Sequence, residues 1–189
     1  LDQAYRLQPS WGSATKYCRL ADRFLKFANP VAAQHYYGQA IALKPDLLQG
    51  HLGIAQALKQ QGNREAAIAA YVNVLAHQPE DAKLGLTLGN ALLELEQWPA
   101  ARDAYQRCQQ PDHPEVIAGL LKCSVELGNW SAALIYSQQQ VARHPSTAQH
   151  WHQFADILSR LERWTEAVAA YRQAIDLDAT FSWSHHNLG

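Results

Sequence analysis

The sequence has no methionine and only three cysteines among 189 residues. Cys18, Cys108 and Cys123 are far apart and form no Cys-x-x-Cys pair, which excludes the short-spaced motifs of zinc and redox sites. An odd number of widely spaced cysteines is typical of reduced thiols that pack as small hydrophobic side chains. We therefore expect a reducing compartment such as the cytoplasm.

The sequence also has no excess of either charge and no long apolar run. The 16 Lys and Arg residues are balanced by 17 Asp and Glu residues, for a formal net charge of −1. Binding to a phosphate backbone needs a basic excess, so nucleic acid is not expected as a partner. No apolar stretch approaches the about 20 residues of a membrane span, and no signal-peptide pattern opens the chain. With 48% hydrophobic residues, the chain still has enough apolar side chains for a core.

Catalytic and metal-binding motifs are missing as well. The sequence contains no nucleophile elbow, no phosphate-binding glycine loop and no supported pair of acids. The histidines in segments 150–152 and 185–186 are one or two residues apart, which places them on different faces of a helix. They therefore do not predict a shared metal ion. We expect this segment to have no catalytic activity, no cofactor and no metal.

The sequence does contain a repeat in which an alanine is usually followed, four residues later, by a tyrosine. The repeated alanines are separated by 34, 34, 32 and 34 residues, and they are Ala33, Ala67, Ala101, Ala133 and Ala167. Each repeat also has an earlier apolar pattern with helical spacing, as at Leu48, Leu52, Ala55 and Leu58. Pro99 suits the first turn of a second helix, and Thr165 suits an N-cap. The repeat therefore predicts two antiparallel helices of about 14 residues each.

This pattern resembles the tetratricopeptide repeat (TPR) family, whose unit of about 34 residues has Trp, Leu-Gly, Tyr, Ala, Phe and Pro at fixed spacings. The fifth repeat matches best, with Trp151, Ala155, Leu158, Ala167 and Tyr171 in register. The resemblance covers about residues 14–189. It implies an all-α fold, an α-solenoid of helix-turn-helix repeats that form a right-handed superhelix.

The register predicts a single array of repeats with a fragment at each end. The five repeats are 14–47, 48–81, 82–113, 114–147 and 148–181, and the partial repeats are 1–13 and 182–189. In the last fragment His185 takes the position of Trp151, as His51 does in the second repeat, so we interpret it as a packing residue. Neither end supplies the polar cap of a solenoid. We therefore expect a segment of a larger, bacterial multidomain protein, with open ends that can stack on another copy.

The fourth repeat departs from the pattern. Leu121 stands where a small residue is expected, and Ser124 and Ser137 stand where large ones are expected. An exchange of volume between neighbours would accommodate these residues. We expect a local change of pitch and a weakened interface at this repeat.

The resemblance also implies where a partner would bind. In TPR proteins the first helices line a concave groove that holds an extended peptide or a partner helix. The groove candidates by register are Thr15, Asp22, Lys26, Gln49, Gln56, Lys83, Asn90, Lys122, His152, Asp156 and Arg160. The alternative interpretation is that each of them is simply a solvated polar residue on an exposed helix face. The clamp that grips chaperone tails is not matched, because only Lys83 agrees with it.

Three tryptophans recur just before the second helices of the last three complete repeats, at Trp98, Trp130 and Trp164. They are either an aromatic binding strip or residues that pack the turn against the neighbouring repeat.

The sequence thus predicts a protein–protein interaction scaffold that binds a peptide or helix. The alternative is that the segment is the TPR arm of a larger glycosyl-, sulfo- or methyltransferase, which recruits substrates for a catalytic domain outside this chain.

Overall fold

The computed structural model describes residues 13–77, 82–108 and 110–178. Within these ranges all regular structure is helical, and it forms five hairpins. The helices are α1 (Ala14–Lys26), α2 (Pro30–Leu43), α3 (Leu48–Gln60), α4 (Arg64–His77), α5 (Ala82–Glu94), α6 (Trp98–Gln106), α7 (Pro114–Glu126), α8 (Trp130–Arg143), α9 (Ala148–Arg160) and α10 (Trp164–Leu177). None of the helices in these ranges is long and apolar enough to span a membrane. The predicted all-α fold of repeated hairpins is confirmed.

The chain divides into two compact units, Leu1–Pro79 and Glu80–Gly189. The first unit contains the hairpins α1–α2 and α3–α4, and the second contains α5–α6, α7–α8 and α9–α10. Inside each unit the two helices of a hairpin pack together, and the second helix also packs against the first helix of the next hairpin. The first helices begin where the predicted repeats begin. A single array over the whole chain stays a prediction, because its terminal fragments, with His185, lie almost wholly outside the described residues.

Each hairpin turn contains one residue with a left-handed backbone. These residues are Ala28 (φ 53°), Gly62 (φ 77°), Glu96 (φ 57°), Gly128 (φ 68°) and Glu162 (φ 59°). The N–H of the residue that follows donates to the carbonyl oxygen five residues earlier, as from Asn29 to Phe24 at 2.9 Å. This bond satisfies a carbonyl that the end of the first helix would otherwise leave open. The five hairpins therefore turn in the same way.

Asparagine side chains cap the N-termini of three of the second helices. The Oδ1 atoms of Asn29, Asn63 and Asn129 accept hydrogen bonds from backbone N–H groups three residues later, at 3.1, 3.3 and 3.2 Å. Pro99 lies in the first turn of α6 as predicted. The predicted cap at Thr165 is wrong, because α10 begins at Trp164 and Thr165 is already helical.

The left-handed turn residues lead to a test of stability. Ala28 is exposed and its β-carbon strains the turn, so Ala28→Gly is expected to raise the free energy of unfolding by about 1 kcal/mol. Gly62 has open space around its Cα, so Gly62→Ala adds only the backbone strain and is expected to cost about 1 kcal/mol. Urea denaturation measures both changes. Destabilisation by Ala28→Gly would contradict this description of the turn.

Tyrosines of the second helices pack tightly against glycines of the first helices. A β-carbon on Gly53 of α3 would lie 2.2 Å from Cζ of Tyr37. Tyr105 of α6 is closely packed on two sides. A β-carbon on Gly89 of α5 would lie 2.5 Å from the Tyr105 ring, and a β-carbon on Gly119 of α7 would lie 2.3 Å from the same ring. The aromatic rings thus set the distance between helices of neighbouring hairpins inside each unit.

The fourth hairpin solves the same packing problem with different residues. Ser137 replaces the tyrosine, and Gln153 of α9 stands in the register of Gly53 and Gly119. Leu121 is fully buried in a cluster with Ala133 and Ile157. The Ser137 hydroxyl donates to the carbonyl oxygen of Leu134 at 3.0 Å, so its burial leaves no open hydrogen bond. The volume exchange, the change of pitch and the weakened interface expected at this repeat stay predictions.

Candidate functional site

Three of the predicted groove residues are held by buried tyrosines. The phenol groups of Tyr37, Tyr105 and Tyr171 donate to Asp22 (2.5 Å), Asn90 (2.6 Å) and Asp156 (2.5 Å), in each case 15 residues earlier in the sequence. Burial and the hydrogen bond to the carboxylate raise the pKa of Tyr37 far above its usual value. The three polar side chains are therefore fixed in direction at the surface of the first helices.

In the first unit, the structure brings Asp22 and Gln49 together. The Gln49 amide donates to the second carboxylate oxygen of Asp22 at 3.1 Å, which links α1 to α3. Thr15 shares a hydrogen bond with Ser13 at 2.8 Å. Lys26 and Gln56 are exposed on α1 and α3.

In the second unit, two of the predicted cations lie over tryptophan rings. The Lys122 ammonium is 5.6 Å from the ring centroid of Trp98, and the Arg160 guanidinium is 5.5 Å from that of Trp130. A cation over an aromatic face is attracted by the ring quadrupole, by about 0.5–1 kcal/mol at an exposed site. Trp98 and Trp130 thus pack against a neighbouring hairpin, whereas the Trp164 side chain is 62% exposed.

The remaining candidates of the second unit are Asn90, His152, Asp156 and Lys83. Asn90 also donates to Glu115 of α7 at 3.3 Å. Nε2 of His152 lies 3.4 Å from Asp156, and its ring lies 5.5 Å from that of Tyr171. Lys83 is exposed in the first turn of α5. Among the described residues, no group of three or more His, Cys, Asp or Glu side chains is placed to hold a metal ion.

His51 and Trp151 occupy the same position in different repeats and make the same hydrogen bond. Nε2 of His51 lies 2.7 Å from the carbonyl oxygen of Pro45, and the indole N–H of Trp151 donates to that of Pro145 at 2.8 Å. Each ring therefore ties a first helix to the loop that precedes it. This supports the interpretation of His51 as a structural residue.

Sequence reasoning missed a pair of open surface pockets in the second unit. Their volumes are about 280 and 390 Å³, and both are lined by Ala118, Gln140 and His150. Gln140 stands in the register of Ala40, Val74, Cys108 and Ala174, so a glutamine among small apolar residues was the available signal.

The environment of His150 predicts a pH dependence. Burial lowers its pKa, and the neighbouring His144, with its ring 5.7 Å away, lowers it further. Because the folded pKa is below the unfolded value of about 6.5, the unfolded state binds the proton first as pH falls. Stability is therefore expected to decrease below about pH 6.5. An NMR titration is expected to give His150 a pKa below 6.5, and a value above it would contradict this expectation.

Five two-helix hairpins with a shared turn and repeated alanine, tyrosine and polar positions define a helical-repeat protein. Tetratricopeptide repeat models match residues 52–114 and 148–181, which together make up just over half of the chain. The chain belongs to the tetratricopeptide repeat family. TPR hairpins build protein–protein interaction scaffolds, which is the class of function that this architecture indicates.

Solved structures of other TPR proteins have the same fold. YrrB is described as a TPR protein with an unusual peptide-binding site. Its sequence is 19% identical to that of this chain, its TM-score is 0.77, and the match covers 98% of this chain and 96% of YrrB. MamA from Desulfovibrio magneticus RS-1 is 16% identical over 89% of this chain and 96% of that one, with a TM-score of 0.67. A TPR protein from Parabacteroides merdae is 13% identical over 93% of this chain and 70% of that one, with a TM-score of 0.69. At these identities the likeness concerns the fold alone.

Proposed function

We propose that the chain binds an extended peptide segment of a partner protein on the first helices of its hairpins. In the second unit the binding face consists of Lys83, Asn90, Lys122, His152, Asp156 and Arg160. In the first unit the corresponding face consists of Asp22, Gln49, Thr15, Lys26 and Gln56. The observation that carries the proposal is that four polar groups of the second unit, Asn90, Lys122, Asp156 and Arg160, are held in place before any ligand arrives.

This pre-organisation has a physical consequence for affinity. A flexible lysine or arginine loses about 0.5–1.5 kcal/mol of side-chain entropy when a partner immobilises it. Lys122 and Arg160 already lie over tryptophan rings, and Asn90 and Asp156 already accept bonds from tyrosines. Less entropy therefore remains to be lost when a peptide binds.

The charges of the face favour a peptide over a nucleic acid. Lys83, Lys122 and Arg160 are cations, whereas Asp156 is an acid and Asn90 is bonded to the acid Glu115. A face with both signs and amide groups suits the mixed donors and acceptors of a polypeptide. A phosphate backbone would instead need a basic stripe.

We also infer that this segment acts by binding alone, in a reducing compartment. The inference on the compartment is supported by the burial of Cys18, Cys108 and Cys123, which pack as small hydrophobic side chains. Burial raises the pKa of the Cys123 thiol to about 11, so very little reactive thiolate forms near neutral pH.

The proposal is tested with peptides selected from a display library against the whole chain. The affinity of the best peptide is then measured by calorimetry for Lys122→Ala and Arg160→Ala. Each substitution is expected to weaken binding by about tenfold, the scale of a contact worth ~1.4 kcal/mol. Lys122 and Arg160 are better targets than Asn90, because Asn90 also accepts the hydrogen bond of the buried Tyr105.

Arg172→Ala is the matched control, because Arg172 is exposed on α10, a second helix. It is expected to leave affinity unchanged. Equal affinity of all three variants and the unsubstituted protein would refute the proposed face. A loss confined to Arg172→Ala would move the site to the second helices.

A further inference from the structure

The fourth hairpin lacks the tyrosine that packs between a hairpin and the first helix of the next one. Ser137 stands in the register of Tyr105 and is buried, so α8 presents no phenol ring to α7 and α9 at this position. The larger of the two open pockets, of about 390 Å³, is lined by the same three helices. The pocket and the missing ring therefore belong to one part of the second unit.

The surroundings of Tyr105 show where such a ring lies. Gly89 of α5 and Gly119 of α7 are packed against the Tyr105 ring, and Asn90 accepts the hydrogen bond of its hydroxyl group. Asn90 in turn donates to Glu115 of α7. These four residues mark the hydroxyl end of the ring.

In the next repeat, the residues at the same four positions all line the larger pocket. In the register of Gly89, Asn90, Glu115 and Gly119, they are Leu121, Lys122, Gln149 and Gln153. The pocket therefore lies where the hydroxyl end of a tyrosine from α8 would lie. Leu121 and Gln153 are larger than the glycines that they replace, yet they leave this space open.

The apolar part of the pocket suits a ring. Ala118, Leu121 and Val125 of α7 contribute its apolar lining. Ala118 is exposed and Val125 is partly exposed, so both can be covered by a ligand. An aromatic side chain buries a large apolar area and loses little conformational entropy, because it has only two side-chain torsions.

The polar groups of the pocket suit the hydroxyl of a phenol. Lys122, Gln149 and Gln153 carry N–H donors, and the Glu126 carboxylate is an acceptor. A phenol hydroxyl both donates and accepts, so it can pair with either kind of group. The side chain of a phenylalanine or a leucine would cover the same groups without a hydrogen bond.

We propose that the larger pocket is a subsite for the phenol side chain of a tyrosine in the bound peptide. The peptide supplies from outside the ring that Tyr105 supplies from inside in the third hairpin. Lys122 lines the pocket and belongs to the proposed binding face, so a peptide on the first helices has access to it. The subsite rests on the proposed function and gives the peptide a side-chain specificity.

The test uses small probes, so it does not depend on a selected peptide. The whole chain, with ¹³C-labelled valine methyl groups, is titrated with N-acetyl-tyrosine methylamide and followed at Val125 by NMR. The ring current of the bound phenol is expected to give a saturable shift. The phenylalanine and leucine methylamides are expected to bind about fivefold and about tenfold more weakly, since the first lacks the hydroxyl and the second also lacks the ring.

Two variants locate the binding. Ala118→Trp places a large side chain at an exposed position of the pocket lining, so it is expected to keep the fold and to weaken the tyrosine probe by about tenfold or more. Gln138→Trp adds the same side chain at an exposed position of α8 outside the pocket lining, and it is expected to change nothing.

Three results would overturn the subsite. They are equal binding of the tyrosine probe and either matched probe, undiminished binding by Ala118→Trp, and no saturable response at all. If Arg160→Ala still weakens a selected peptide, such a result refutes the subsite and leaves the proposed function intact. A probe response that Ala118→Trp abolishes, without any effect of Lys122→Ala or Arg160→Ala on a selected peptide, would refute the binding face instead.

Discussion

Tyr105→Ala is expected to lower the free energy of unfolding of the second unit by about 3–5 kcal/mol. The Tyr105 ring is 1% exposed and lies against Gly89 of its own hairpin and Gly119 of the next one. Its removal leaves a cavity between α5, α6 and α7 and breaks the hydrogen bond to Asn90. Urea denaturation followed by circular dichroism measures the loss.

Tyr105→Phe separates the contribution of the ring from that of the hydroxyl group. It keeps the ring and removes only the bond to Asn90, so a cost of about 1 kcal/mol is expected. A similar, small cost for both substitutions would show that the ring does not hold the hairpins together.

Gly53→Ala is expected to destabilise the first unit by about 1–3 kcal/mol. The added methyl group would lie 2.2 Å from Cζ of Tyr37, so the ring or the helix must shift. This outcome reverses the usual rule, because alanine is ordinarily the better helix former by about 1 kcal/mol. The measurement is the same urea titration.

Gly38→Ala is the matched control in the same unit. Gly38 lies inside α2, and a β-carbon there would meet no atom within 4 Å. This substitution is therefore expected to raise stability by about 0.5–1 kcal/mol. Stabilisation by both substitutions would contradict the close packing of Tyr37 on α3.

The sequence was sufficient for the helices because their periodicity is local. Buried alanines such as Ala33 and Ala67 recur with nearly constant spacing, and helical spacing of apolar residues needs no knowledge of the tertiary structure. The turns were harder to predict. Ala28, Glu96 and Glu162 take left-handed backbones that glycine would normally mark, so no residue type signals the turn in all five hairpins.

For the candidate binding face, the sequence predicted the positions of the residues along the first helices but not their contacts. Register places Asn90 and Asp156 on the first helices, but their bonds to Tyr105 and Tyr171 depend on how each hairpin packs. The open pockets of the second unit could not be located from the sequence, where Gln140 was the available signal, because they depend on side chains of α7, α8 and α9 together. Gln140 also lies in α8, the helix whose repeat pattern is broken by Ser137.

Peptide binding on the first helices is tested most directly by a chemical-shift map of the ¹⁵N-labelled chain with a selected peptide. The largest shifts in the second unit are expected on α5, α7 and α9, around Asn90, Lys122 and Arg160. Shifts confined to α6, α8 and α10 would contradict this expectation, because the partner would then bind the second helices.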